Sequence, residues 1–152
     1  MKLSPQMQLA TERMAPGVIT RDGLLGSDTR PLPEILDADN AAVLSLGLTH
    51  AAIAARMAAF TEAAATGFGD PVPFEDNYLV RLDEYPGPMA CPFGGCSAQR
   101  KSVTTVHRLS DGREMRWSAL GRHMIAAHGF YQGLGSEWRL DPAALARFLG
   151  LA

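Results

Sequence analysis

Apolar residues recur with a helical period in the first half of this chain and alternate in much of the second. Ile53, Met57, Phe60 and Ala64 are spaced by four, three and four residues. That places one apolar stripe on a helix over about 50–66, with Thr49 as its N-cap and Gly67 as its stop. Leu36, Val43 and Leu46 mark the face of a preceding helix over about 31–46, ended by Gly47. The pair reads as an αα-hairpin over 31–66. Ser4-Pro5 has the form of a cap followed by a first-turn proline, which predicts a short helix ending near Met14. The loop "GVITRDGLLGSDTRP" that follows holds three glycines and predicts no regular element.

After residue 66 the signals change. "GFGDPVPFED" reads as a Gly/Pro linker and a boundary between lobes, and "NYLVRL" (77–82) alternates as a strand does. "VTTVHRL" and "REMRW" flank Ser110-Asp111-Gly112, a hairpin signal. Setting Leu109 against Arg113 places Arg108 opposite Glu114, an opposite-charge pair across the strands. Ser118 caps a helix over about 119–128 that Gly129 stops, Trp138 to Leu140 predicts a short strand, and Asp141-Pro142 opens a last helix through Leu149. The expectation is an α+β fold. A helical lobe over 1–70 precedes a ββα-like lobe over 71–152 with a small antiparallel sheet, three-stranded if 77–82 joins the hairpin.

With 47% apolar and 20% charged residues in 152, the composition is that of a globular chain able to build a core. The net charge of −2 argues against a protein that coats nucleic acid through general basicity. No run of about 18 apolar residues suggests a membrane span. The N-terminus lacks an apolar block of about 7–15 residues, so the expected location is the cytoplasm. Charge is nonetheless uneven: residues 1–75 carry a net −4, and residues 97–122 a net +4.

The chemistry concentrates in "CPFGGC" (91–96), which holds both cysteines. Reducing conditions favour a metal or redox role over a disulfide, and the spacing is not the Cys-x-x-Cys of a redox pair. Downstream come the hairpin and then a helix bearing His123 and His128. Two thiolates and two imidazoles suit zinc, a borderline-soft ion that takes four tetrahedral ligands in structural sites. Cys91, Cys96, His123 and His128 are therefore the candidate ligands, and structural zinc the candidate cofactor. Residues five apart on a helix diverge by roughly 140°, so convergence of the histidines asks the last turn to loosen before Gly129. His107, in the hairpin, is the spare imidazole.

"LGRHMIAAHG" (120–129), together with the cysteine pair, resembles the finger helix of the Ros-type bacterial zinc-finger regulators, in which basic residues flank paired histidines. The resemblance implies a Cys2His2 zinc module and, as one alternative, DNA binding. Arg100, Lys101, Arg108, Arg116 and Arg122 are then the candidate nucleic-acid contacts. "AAVLSLGLTHAAIAARM" (41–57) resembles a helix-turn-helix. Its second helix, however, offers mostly alanine where base readout needs Arg, Asn, Gln or Lys, and packing is the favoured reading. The function expected is an interaction or regulatory module held together by zinc, with a protein or nucleic acid as partner. Phe130, Tyr131 and Trp138 are its candidate contact aromatics, although core packing explains them as well. An enzyme is the least favoured class. Glu114 and Asp111 are the candidate acid or base for such a role, but no His-Glu-x-x-His, Gly-x-Ser-x-Gly or phosphate-loop motif is present.

Overall fold

A computed structural model describes residues 3–152. It contains five helices: α1 (Pro5–Arg13), α2 (Leu32–Ser45), α3 (His50–Ala65), α4 (Ala119–His128) and α5 (Pro142–Phe148). Four of them start on a side-chain oxygen that accepts an otherwise unpaired first-turn N–H. Ser4 accepts from Met7 at 3.2 Å, Thr49 from Ala52 at 3.0 Å, Ser118 from Gly121 at 2.9 Å and Asp141 from Ala144 at 3.0 Å. α2 begins instead after Pro31, with Glu34 in its first turn favouring the positive end of the helix. The chain bends by 81° between α2 and α3. These helices therefore meet at a corner and do not lie antiparallel as a hairpin. Among the described residues no single helix is long and apolar enough to cross a membrane.

The strands β1 (Val72–Phe74), β2 (Tyr78–Met89), β3 (Gln99–Arg108) and β4 (Glu114–Ser118) form one antiparallel sheet in the order β1-β2-β3-β4. The α+β class is as expected, and the sheet is larger than expected. β1 lies in the segment read as a linker. Its Pro73 is tolerated because β1 is an edge strand. β2 continues past Leu82 through Pro86 and Pro88, which lack ladder donors. A register shift between Tyr85 and Pro88, with Gly87 at φ 96°, absorbs both prolines. The hairpin register also differs by one residue. Glu114 faces His107, because a four-residue loop closes with Gly112 N–H donating to Arg108 C=O at 2.9 Å. Arg108 pairs with Asp111 inside that loop. Trp138 to Leu140 form no strand: Arg139 is drawn to Asp39, and Trp138 lies beneath Arg116.

α3 lies against β2 and α4, and its stripe of Ile53, Met57, Phe60 and Ala64 is buried with Val80, Val106, Trp117, Ile125 and Phe148. Trp117 Nε1 donates to Thr61 at 3.2 Å, and the Thr61 hydroxyl meets that of Thr104 at 2.7 Å, so the polar atoms inside this core are paired. A second cluster joins Ala10 of α1 and Met14 just after it, Leu32 and Ile35 of α2, Leu120 and Met124 of α4, Phe130 and Cys91. Each cluster draws residues from both sides of residue 70. Asp39 and Arg139 tie α2 to the segment after α4 by two hydrogen bonds of 2.6 and 2.9 Å.

Candidate metal centre

Cys91, Cys96, His123 and His128 converge so that one ligand atom from each lies within 4.8 Å of all the others. His128 Nε2 sits 3.5 Å from Cys91 Sγ and 3.4 Å from Cys96 Sγ. A tetrahedral zinc site with Zn–S of about 2.3 Å and Zn–N of about 2.0–2.1 Å separates sulfur from nitrogen by about 3.6 Å. Both separations match that edge. A neutral imidazole nitrogen offers a single acceptor lone pair. It accepts one thiol proton well, whereas a cation between the three atoms satisfies them together. His123 Nε2 is buried and has no hydrogen-bond partner among the described residues, as a nitrogen reserved for a metal would be. Both cysteines are free thiols.

Two elements set this geometry. The loop between β2 and β3 turns with Gly94 at φ 77° and Gly95 at φ 69°, a left-handed pair that closely suits glycine. Gly94 N–H donates to Cys91 C=O at 3.2 Å, and Cys96 Sγ donates to Gly94 C=O at 3.4 Å. α4 supplies both imidazoles and stays regular through His128, so the expected loosening of its last turn does not occur. The chain departs only at Gly129, φ 62°, whose N–H returns to Ile125 C=O at 3.0 Å. The rings meet through side-chain reach, with centroids 5.7 Å apart at 81°.

Burial raises the Cys91 thiol above its usual range, while backbone N–H groups of Phe93 and Gly94 oppose that shift. Burial lowers His128, and His123 lowers it further, so its imidazole is held neutral and ready to ligate. A bound divalent ion would overturn the thiol preference, since coordination deprotonates it outright.

No protein-family model, curated protein or solved structure matches this chain.

Two residues around the cluster carry no signal of their own in the sequence. Phe93 stacks on the His128 ring, with centroids 4.1 Å apart and planes 16° from parallel. Arg13, at the end of α1, donates to Pro92 C=O at 3.1 Å and so fastens the loop to the first helix. Phe93 at least sits between the cysteines, where a stacking role could be sought. Arg13 lies 79 residues away from its partner.

The other expected residues lie apart from the cluster. His107 is on β3 opposite Leu79 and Glu114, and is not part of the cluster. Asp111 and Glu114 occupy the opposite end of the hairpin from Cys96, since β3 runs between them for about 30 Å. Phe130 and Tyr131 are buried. Of the basic candidates, Arg100 pairs with Glu84, Arg108 with Asp111 and Arg116 with Glu137. Arg122 is half-buried, whereas Lys101 is exposed and has no ion pair among the described residues. Arg100 and Arg108 stand about 26 Å apart along β3, so the set does not form one compact patch. In the helix-turn-helix resemblance His50 and Arg56 would face DNA. Here His50 binds Tyr131 and Asn40, and Arg56 holds Glu75 and the Leu149 carbonyl.

Proposed function

We propose that Cys91, Cys96, His123 and His128 bind one zinc ion in a closed structural site, and that the chain is a small interaction or regulatory module whose fold zinc completes. The observation that carries this reading is the placement of one imidazole nitrogen at tetrahedral-edge distance from both sulfurs. Four protein ligands fill the coordination sphere of zinc and leave no open position for an activated water, which favours structural over catalytic use. The site's neighbours agree with that role. Cys91 belongs to the cluster joining α1, α2 and α4, so an ion there would stitch the first helix to the last turn of α4. A reducing compartment such as the cytoplasm suits ligands that must remain unoxidised.

The test is metal analysis of protein purified without added metal, for the wild type and for Cys96→Ser. About one zinc per chain in the wild type, lost in the variant, is the expected result. Wild-type protein free of zinc, or a variant that retains it fully, would refute the assignment.

A further inference from the structure

The sheet face turned away from α3 carries a cavity of about 540 Å³, within the range of small-molecule sites. Its floor is set by strand register. Arg81 of β2, Thr105 of β3 and Arg116 of β4 lie in one row across three strands. Asp83, Val103 and Ser118 form the next row, and Tyr85 with Lys101 the one after. One wall comes from the loop after α1, including Arg21 and Thr20, and another from Gln132 and Trp138.

Four cations and a single carboxylate line this cavity in a chain whose net charge is −2. Arg81 pairs with Asp83 at 3.1 Å, and Arg116 with Glu137 outside the lining at 2.9 Å. Arg21 and Lys101 have no ion pair among the described residues, so positive charge remains after this internal pairing. Between the charges the lining mixes apolar groups, including Ile19, Leu24 and Val103, with the hydroxyls of Ser102, Thr105 and Ser118. Two further features are unusual for a plain surface groove. The Thr20 hydroxyl is buried without a hydrogen-bond partner. Gln132, only 5% exposed, holds a left-handed backbone at φ 71°, which disfavours a non-glycine residue and recurs at ligand sites.

We propose that this cavity binds a small organic anion, its phosphate or carboxylate head held by Arg81, Lys101 and Arg21 and its apolar body lying along Val103 towards Leu24. Arg116, seated 4.2 Å over the Trp138 ring, braces the far wall. The site is separate from the four metal ligands, none of which lines it.

The test uses the full chain and the fluorescent probe anilinonaphthalenesulfonate, an apolar aromatic body bearing one anionic head. The expected result is saturable binding of one probe per chain. Arg81→Gln and Lys101→Gln each weaken it by about tenfold or more, as loss of a charge-assisted contact does. Arg113→Gln, outside the cavity, leaves it unchanged. Displacement by decyl phosphate but not decanoate identifies a phosphate head, and the reverse pattern a carboxylate. Lys101 is exposed, so its variant should fold, and circular dichroism of each variant confirms that binding is compared between folded proteins. Probe binding that is absent, indifferent to both substitutions, or displaced by neither competitor would overturn the proposal. So would retention of a polynucleotide by these residues without probe binding.

Discussion

Substituting Gly129 by alanine separates backbone strain from crowding at the turn that follows the second histidine. Gly129 has φ 62°, and an added Cβ would stand 2.7 Å from His50 Nε2, 2.9 Å from Cδ2 and 3.1 Å from Cε1. The ring cannot withdraw freely, because Tyr131 Oη holds Nδ1 at 2.8 Å and Asn40 Oδ1 holds Nε2 at 3.0 Å. Left-handed backbone disfavours alanine by about 1–2 kcal/mol, and displacing the ring sacrifices up to two hydrogen bonds of about 1 kcal/mol each. The expected destabilisation is about 3 kcal/mol. Gly47 provides the internal control: it ends α2 at φ 72°, and an added Cβ meets nothing within 4 Å. Gly47→Ala should therefore lose only the backbone part, about 1 kcal/mol once the stiffer unfolded chain is counted. Urea unfolding of both variants measures the difference, and adding His50→Ala to Gly129→Ala should recover part of it. Equal losses at the two glycines, or no recovery in the double variant, would refute the reasoning that His50 sets the crowding.

The buried Asp39–Arg139 pair, with side chains 7% and 14% exposed, makes Arg139→Met costly by about 3–5 kcal/mol, because a carboxylate is left uncompensated. Thermal melts should fall by about 6–20 °C, and Asp39→Leu combined with Arg139→Met should be less damaging than the sum of the single changes; simple additivity would count against coupling. Chelation should reduce hydrogen-exchange protection first in α1, the 91–96 loop and α4, which share the cluster containing Cys91, and later in the β2–β3 ladder. Uniform loss across the chain would contradict that order. Burial lowers the His50 pKa from 6.5, so its contribution to stability is present above that value and is lost as pH falls below it towards the folded-state pKa. A stability profile measured on His50→Gln should be flatter over that window, and an unchanged profile would show that His50 does not set the pH dependence.

Helix starts were legible because they are local. Ser4, Thr49, Ser118 and Asp141 each lie within three residues of the N–H they accept. The four side chains of the candidate metal cluster were legible from residue type, spacing and order, since the loop, hairpin and helix that carry them follow one another in the chain. What escaped depends on distant partners or small backbone adjustments. Arg13 reaches Pro92 across 79 residues and Asp39 reaches Arg139 across 100, and neither residue differs locally from a solvated charge. β1 and the far half of β2 were concealed by proline, whose place at an edge or a bulge depends on neighbouring strands. The Arg108–Glu114 pairing failed because the four-residue loop shifts the register by one and sets Glu114 opposite His107, while Asp111, three residues away, takes the Arg108 guanidinium. The outer cavity required the complete sheet: no sequence window brings Arg81, Lys101 and Arg116 onto one face.

X-ray absorption at the zinc edge, on protein as purified, addresses the convergence of four side chains on one ion most directly. Convergence on one zinc gives a first shell of two sulfurs at about 2.3 Å and two nitrogens at about 2.0–2.1 Å. An oxygen-dominated shell, or one lacking sulfur, would contradict it.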